Sequence, residues 1–370
     1  MKFSNGCWLQ KEGCSCFAPA EAYFTKIEEK KVTICAPTAH IVTRGDTLGG
    51  INLTLEITSP APEILRVRTY HYKGEVVNTP SFELELKEEL PLDVTDSEEE
   101  ISIKSGELTL VITKKNWSMT YYRNGEMITR SAGRDLALMK TDFKGFAYND
   151  TDAEETYMRQ MLSLSVGELV YGTGERFTPF VKNGQSIDIW NADGGTSTEQ
   201  SYKNIPFFIT NKGYGVLVNH PEKVSIEVAT EMVTRTEFSV PGGYLDYFLI
   251  NGPTMKEVLT RYTDLTGKPS LPAPWTFGLW LSTSFTTNYD EATVMSFIDG
   301  MLDRGIPLRT FHFDCFWMKE FNWCDLTWDK RMFPDPKAML DRLKAKGLEI
   351  CVWINSYIAQ RSSMFNEGVK

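Results

Sequence analysis

The sequence predicts an antiparallel β-sandwich followed by a parallel βαβαβ unit. Three observations carry this reading. Short runs of period-two alternation, separated by turn residues, fill roughly the first 250 residues. A stiff segment with Pro269, Pro272 and Pro274 then interrupts the chain. Beyond it, strand and helix patterns alternate, as in a parallel sheet with right-handed crossovers.

Within the first region, Ile51–Ile57 alternates apolar and polar residues, which marks a half-buried strand. Glu107–Thr113 and Trp117–Tyr122 are further apolar-rich runs. Asn124-Gly125 lies between Met119–Tyr121 and Met127-Ile128, and tolerates positive φ at both turn positions, so a tight hairpin is predicted there. The same alternation continues from Gly215 to Asn251. Many short strands with little helix imply two packed antiparallel sheets. The acidic stretch from Glu83 to Glu100 reads as a solvated edge or loop.

Near residue 253 the periodicity changes. Pro253 suits a first helical turn, and Met255, Val258, Leu259, Tyr262 and Leu265 follow with helical spacing up to Gly267. The predicted organisation is a sandwich over 1–252, a helix and proline-rich connector over 253–274, and an α/β region over 275–370. In that last region Phe277–Ser282, Leu308–Phe313 and Leu348–Ile354 read as strands. Val294, Phe297, Ile298, Met301 and Leu302 mark one helix, closed by Gly305. A second helix starts at Asp335-Pro336, with Asp as N-cap and Pro at the first position, and ends at Gly347.

Composition narrows the function classes. Of 370 residues, 42% are apolar and 24% charged, as in globular rather than disordered chains. The net charge of -10 repels a phosphate backbone, so nucleic acid is not expected as a partner. No run of about 18 apolar residues predicts a membrane span, and no apolar core follows the first lysine as in a secretory signal. Seven scattered cysteines fit reduced thiols and a cytoplasmic location. Cys7, Cys14, Cys16 and Cys35 lack paired zinc-knuckle spacing, even with His40 nearby, so no metal is expected. Asp150, Asp152 and Glu154 lack the glycine and spaced glutamate of a calcium loop. Gly172-Thr173-Gly174 lacks the third glycine and following helix of a nucleotide loop, and a tight turn is the expected use. The histidines His40, His71, His220 and His312 form no metal spacing; His312 falls inside a strand. No serine or cysteine stands in a nucleophile elbow.

In parallel α/β folds the working residues follow the C-terminal ends of strands. Here the first strand runs into Ser284-Phe285, the second into Asp314-Cys315-Phe316-Trp317, and the third into Trp353-Ile354-Asn355. A carboxylate accepts hydrogen bonds from sugar hydroxyls, and aromatic faces cover the apolar C–H surface of a sugar ring. Three consecutive strand ends of this kind predict a binding site. The loop from Asp193 to Gln200 is polar and glycine-rich, as long functional loops are.

Six segments resemble the family 31 glycoside hydrolases, and among them the bacterial α-xylosidases. They are YGTGERF at 171–177, WNADGGTSTEQSYKNIPF at 190–207, GYGVLVNHP at 213–221, LSTSFTTNYDEATV at 281–294, FHFDCFWMK at 311–319 and ICVWIN at 350–355. The resemblance implies that the α/β region begins a (β/α)8 barrel, of which three βα units lie within this chain. It implies retaining hydrolysis of an α-linked non-reducing sugar, an α-xyloside or xyloglucan-type oligosaccharide, without metal or organic cofactor. By the same resemblance Asp193 is a sandwich-loop acid reaching the site. Phe285, Asp314, Cys315, Phe316 and Trp353 correspond to the walls and hydrogen-bonding groups of the sugar subsite. Family members acting on glucosides usually carry an Ile-Asp pair where this chain has Cys315-Phe316.

The family's nucleophile lies in a Lys-x-Asp-Phe-Gly segment at barrel strand four, and its acid/base follows strand six. Neither segment occurs before Lys370. A barrel needs eight βα units over ~250 residues, and a retaining enzyme needs two carboxylates ~5–5.5 Å apart. The chain is therefore expected to be a truncated, inactive front portion, with both catalytic carboxylates beyond Lys370. An α-glucosidase of the same family, and a non-catalytic sugar-binding or assembly module, are the alternative readings.

Overall fold

A computed structural model describes residues 1–6, 9–75, 81–142, 155–192, 198–285 and 287–370. Cys7, Asp150, Asp152, Glu154 and Asp193 fall outside the described residues. The chain forms two compact units, Met1–Lys268 and Pro269–Lys370.

The main sheets of the first unit are antiparallel throughout. One has eight strands, in the spatial order Val170–Glu175, Lys203–Thr210, Tyr214–Val218, Tyr244–Asn251, Ile64–Tyr70, Asn52–Ala61, Lys31–Pro37 and Phe24–Glu28. A second has six, from Gln185–Ile189 through Val224–Val228, Arg235–Pro241, Glu155–Ser163 and Leu136–Thr141 to Cys14–Phe17. A third has five, from Glu126–Ala132 to Asp93–Asp96. Leu53, Leu55 and Ile57 point into one continuous core shared with Ile103, Leu110, Met158, Val216, Phe238 and Tyr247. The alternation read from Ile51–Ile57 is thus a strand buried at every second residue at its start. Asn124 and Gly125 have φ of 49° and 83°, and the strands on either side pair as the hairpin required. Part of the acidic stretch, Asp93–Asp96, is the edge strand of the five-stranded sheet, where charge discourages further pairing.

Gly172 and Gly174 lie inside a strand rather than in the tight turn expected, where they allow a close approach to the neighbouring strand. The strand Val170–Glu175 shifts register between them against Lys203–Thr210. A Cβ on Gly174 would lie 2.0 Å from the Lys203 carbonyl oxygen, so only glycine fits.

The helix Met255–Thr266 is capped by Thr254, whose hydroxyl and the Glu257 carboxylate form a reciprocal capping box. Pro253 therefore precedes the N-cap rather than entering the first turn. Val258 and Leu265 bury against Ile64, Phe207, Leu217 and Phe248, and Tyr262 stacks on Phe207 at 4.0 Å. The helix, grouped with the connector in the sequence reading, packs on the sandwich, and the division between units falls after Lys268.

The second unit is a three-stranded parallel sheet in chain order, Leu279–Ser282, Leu308–Phe313 and Glu349–Val352. The first strand starts later than expected because Pro274–Phe277 coil into a 3-10 turn. Asp290 caps the helix Glu291–Leu302 by accepting from the Thr293 amide at 2.8 Å. Asp335 caps the helix Pro336–Ala345 with proline at its first position, as predicted. Val294, Ile298, Phe311, Phe313, Phe333, Met339 and Leu343 close the core between these helices and the sheet. No described helix is long and apolar enough to cross a membrane.

Candidate functional site

Because the three strands are parallel and adjacent, their C-terminal ends share one edge of the sheet. The strands end at Ser282, Phe313 and Val352. Phe285, Asp314 to Phe316, and Trp353 follow directly, so one edge carries five of the six site residues read from sequence. The sixth, Asp193, is outside the described residues.

Each of these side chains has a local cause for its position. Ser284 adopts φ of 55°, turning the chain sharply after the first strand, and Phe285 is left 68% exposed. Asp314 caps the short 3-10 turn Cys315–Trp317, its Oδ1 accepting from the Cys315 amide at 2.7 Å. An ionised carboxyl has about four lone-pair sites, so acceptor capacity remains for hydroxyl groups. Trp317 is buried and its indole N–H donates to the Trp353 carbonyl at 2.7 Å, while the Trp353 amide donates to the Phe313 carbonyl at 2.8 Å. These two bonds fix the second strand end to the third. Burial, and next the Asp314 charge, push the Cys315 thiol up to about 11, so it stays protonated at neutral pH rather than standing as a thiolate nucleophile. Phe316 packs on Trp323 with ring centroids 5.4 Å apart, and Trp353 lies 6.1 Å from Tyr357. His312 is partly buried, and its Nδ1 pairs with the Ser282 hydroxyl at 3.0 Å, linking the first two strands.

Sequence reasoning missed two supports. Tyr289 is buried, and its hydroxyl donates to the Asp314 carbonyl at 2.7 Å. Its place in SFTTNYDEATV carries no periodic signal. Asp325 gathers hydrogen bonds from the loop after the third strand. A long irregular segment between strand and helix was the available hint. Among the described residues no group of three or more His, Cys, Asp or Glu is placed to hold a metal ion.

The first unit is thus an antiparallel β-sandwich, and the second a run of three parallel strands linked by helices. Residues 54–227 match the family model described as the glycosyl hydrolase 31 N-terminal galactose mutarotase-like domain. Residues 269–370 match that of the glycosyl hydrolases family 31 TIM-barrel domain. The chain belongs to glycoside hydrolase family 31. It is 45% identical over 370 residues to the α-xylosidase XylQ of Lactiplantibacillus pentosus, covering 100% of this chain and 47% of that protein. It is 43% identical over 385 residues to an α-xylosidase of Emericella nidulans, covering 100% of this chain and 48% of the relative. Among solved structures it resembles the Flavobacterium johnsoniae GH31 dextranase FjDex31A, complexed with glucose. There the TM-score is 0.74 at 19% identity, with 95% of this chain and 40% of that one covered, which bears on fold alone. The chain spans about half the length of the curated relatives it matches.

Proposed function

We propose that these 370 residues are the sugar-binding front of an α-xylosidase that releases terminal α-linked xylose with retention. The observation that carries this is the shared strand edge with Asp314 flanked by Phe285, Cys315, Phe316 and Trp353. Two relatives above 40% identity, both α-xylosidases, support it.

In this reading Asp314 accepts hydrogen bonds from ring hydroxyls. Trp353 and Phe285 cover the C–H faces of the ring. Cys315 and Phe316 fill the space that a hydroxymethyl group on C5 would need. Xylose lacks that group and glucose carries it, so an apolar wall there excludes glucose by volume and leaves its extra hydroxyl without a partner. In this reading the described strand-end residues contact the sugar, and none of them takes the role of nucleophile or acid/base. The polypeptide of these 370 residues binds the sugar without cleaving it.

Saturation-transfer NMR on the 370-residue chain tests the reading. An aryl α-xyloside should show transfer that the matched α-glucoside lacks, and Asp314→Ala should abolish it. Equal transfer to both sugars, unaffected by Asp314→Ala, refutes it.

A further inference from the structure

The residues between the second strand and its helix, 314–335, form a long segment whose tip is tied to a different loop. Asp325 is the tie. Its Oδ1 accepts from the Ser362 hydroxyl, from the Ser363 amide at 2.9 Å and from the Ser363 hydroxyl at 3.4 Å. Its Oδ2 accepts from the Asn322 side-chain amide at 2.9 Å. Asn322 also donates to the Arg361 carbonyl at 2.9 Å, and the Ala359 amide donates to the Trp323 carbonyl at 3.2 Å. The Arg361 guanidinium lies 5.7 Å from the centre of the Phe321 ring. Beyond the Trp317–Trp353 bond at the strand ends, these contacts join residues 321–325, after the second strand, to residues 359–363, after the third.

The segment also holds unusual backbone. Phe321, Cys324 and Leu326 have φ of 62°, 63° and 56°, a region that costs non-glycine residues about 1 kcal/mol or more each. Such a conformation persists only where surrounding contacts over-determine it. A carboxylate taking several donors supplies strong, charge-assisted contacts of that kind. Although burial works against ionisation, the bonds from Ser362, Asn322 and Ser363 hold the Asp325 carboxyl below its ordinary range, so it is charged at neutral pH. Between Asn322 and Asp325 stands Trp323, the residue packed on Phe316.

We propose that Asp325 is a positioning residue that makes the two loops order as one unit and so holds Trp323 against Phe316, setting the wall of the sugar pocket. The functional half of this rests on the reading of the strand edge as a sugar site; the coupling of the loops does not. Asp325 touches no reacting atom in this account.

Hydrogen exchange on the full 370-residue chain, with and without an aryl α-xyloside, separates the two. Asp325→Ala should raise amide exchange about tenfold in both 319–333 and 355–364, the loss expected for a charge-assisted hydrogen bond. The strands Leu308–Phe313 and Glu349–Val352 should keep wild-type rates, which also shows that the variant folds. Ser362→Ala should loosen the distant segment 319–333, and the double variant should add little to either single one. Asp325→Asn, of the same size, covers the case where the alanine variant fails to fold. If 355–364 is unchanged in both Asp325 variants, or the effects simply add, the coupling is wrong. In the wild type the xyloside should slow both loops together, and Asp325→Asn should weaken its apparent affinity about tenfold. Unchanged affinity in Asp325→Asn overturns the positioning role. No xyloside effect on the wild type overturns the sugar-site reading and this role with it, while the exchange coupling still stands or falls on the ligand-free data.

Discussion

The hydroxyl of Tyr289, a residue 1% exposed, donates a 2.7 Å hydrogen bond to the backbone carbonyl of Asp314. That carbonyl also accepts from the Trp317 amide at 3.1 Å. Tyr289→Phe therefore leaves one donor in place and should cost about 1 kcal/mol rather than a full desolvation penalty. Urea unfolding of the second unit, followed by its tryptophan fluorescence, measures this. The accompanying loss of xyloside affinity should be severalfold, because the Asp314 backbone loses one of its two anchors. A neutral result in both readouts means that the tyrosine only fills space.

Specificity should respond to the wall residues and not to the acid. In a polypeptide that also carries the nucleophile and acid/base, Cys315→Ile combined with Phe316→Asp should raise kcat/KM for aryl α-glucosides relative to α-xylosides by about tenfold or more. Asp314→Ala should lower both by a similar factor. An unchanged ratio in a folded double variant places the wall elsewhere.

In the sandwich, Arg66 forms a two-pronged pair with Asp246, its Nε 2.9 Å from Oδ1 and its Nη2 2.6 Å from Oδ2. The Asn219 amide donates to the same carboxylate at 2.7 Å, and the Asp246 backbone amide donates to His220 Nε2 at 2.9 Å. Asp246 is 1% exposed, so Asp246→Ala strands a guanidinium in the interior and should cost about 3–5 kcal/mol. Denaturant titration should show the midpoint falling sharply, whereas replacing Arg66 and Asp246 together by apolar residues should recover much of the loss.

Glu237 is 1% exposed. Burial raises its carboxyl from 4.5 to about 8, against the opposing charge of Arg159 and with help from Glu231. A carboxyl raised on folding binds its proton more tightly in the native state. Its contribution is complete at low pH and is lost as pH rises from about 4.5 to about 8. The slope should approach but not exceed about 1.4 kcal/mol per pH unit. Glu237→Gln keeps the neutral form at every pH. Stability curves of the two proteins should converge at low pH, separate as pH rises from about 4.5 to about 8 and stay a constant distance apart above that, with the variant more stable; curves that do not separate across this window rule the assignment out.

Local patterns explain what could be read ahead of the structure. The strand Leu308–Phe313, the Asn124-Gly125 hairpin and the Asp335-Pro336 cap depend on residues within a few positions of each other, and each matches. Strand ends follow from strands, so Phe285, Asp314 to Phe316 and Trp353 could be placed on one edge. Pro253 was misread because proline and threonine both mark helix starts, and Thr254 with Glu257 makes the stronger cap. Tyr289 and Asp325 left no such trace. Their bonds reach 25 to 38 residues along the chain, and nothing in the intervening pattern announces them.

The pairing of Ile64–Tyr70 with Tyr244–Asn251 puts partners such as Arg66 and Asp246, 180 positions apart, side by side in the middle of the largest sheet. A ribosome adding about 5–20 residues per second needs roughly 9–36 s between making one strand and making the other. For that interval the strand Ile64–Tyr70, paired on one side with Asn52–Ala61, has a hydrogen-bonding edge with no native partner. The sandwich cannot close as it emerges. The open edge of Ile64–Tyr70 must stay shielded from other strands until Tyr244–Asn251 has been translated.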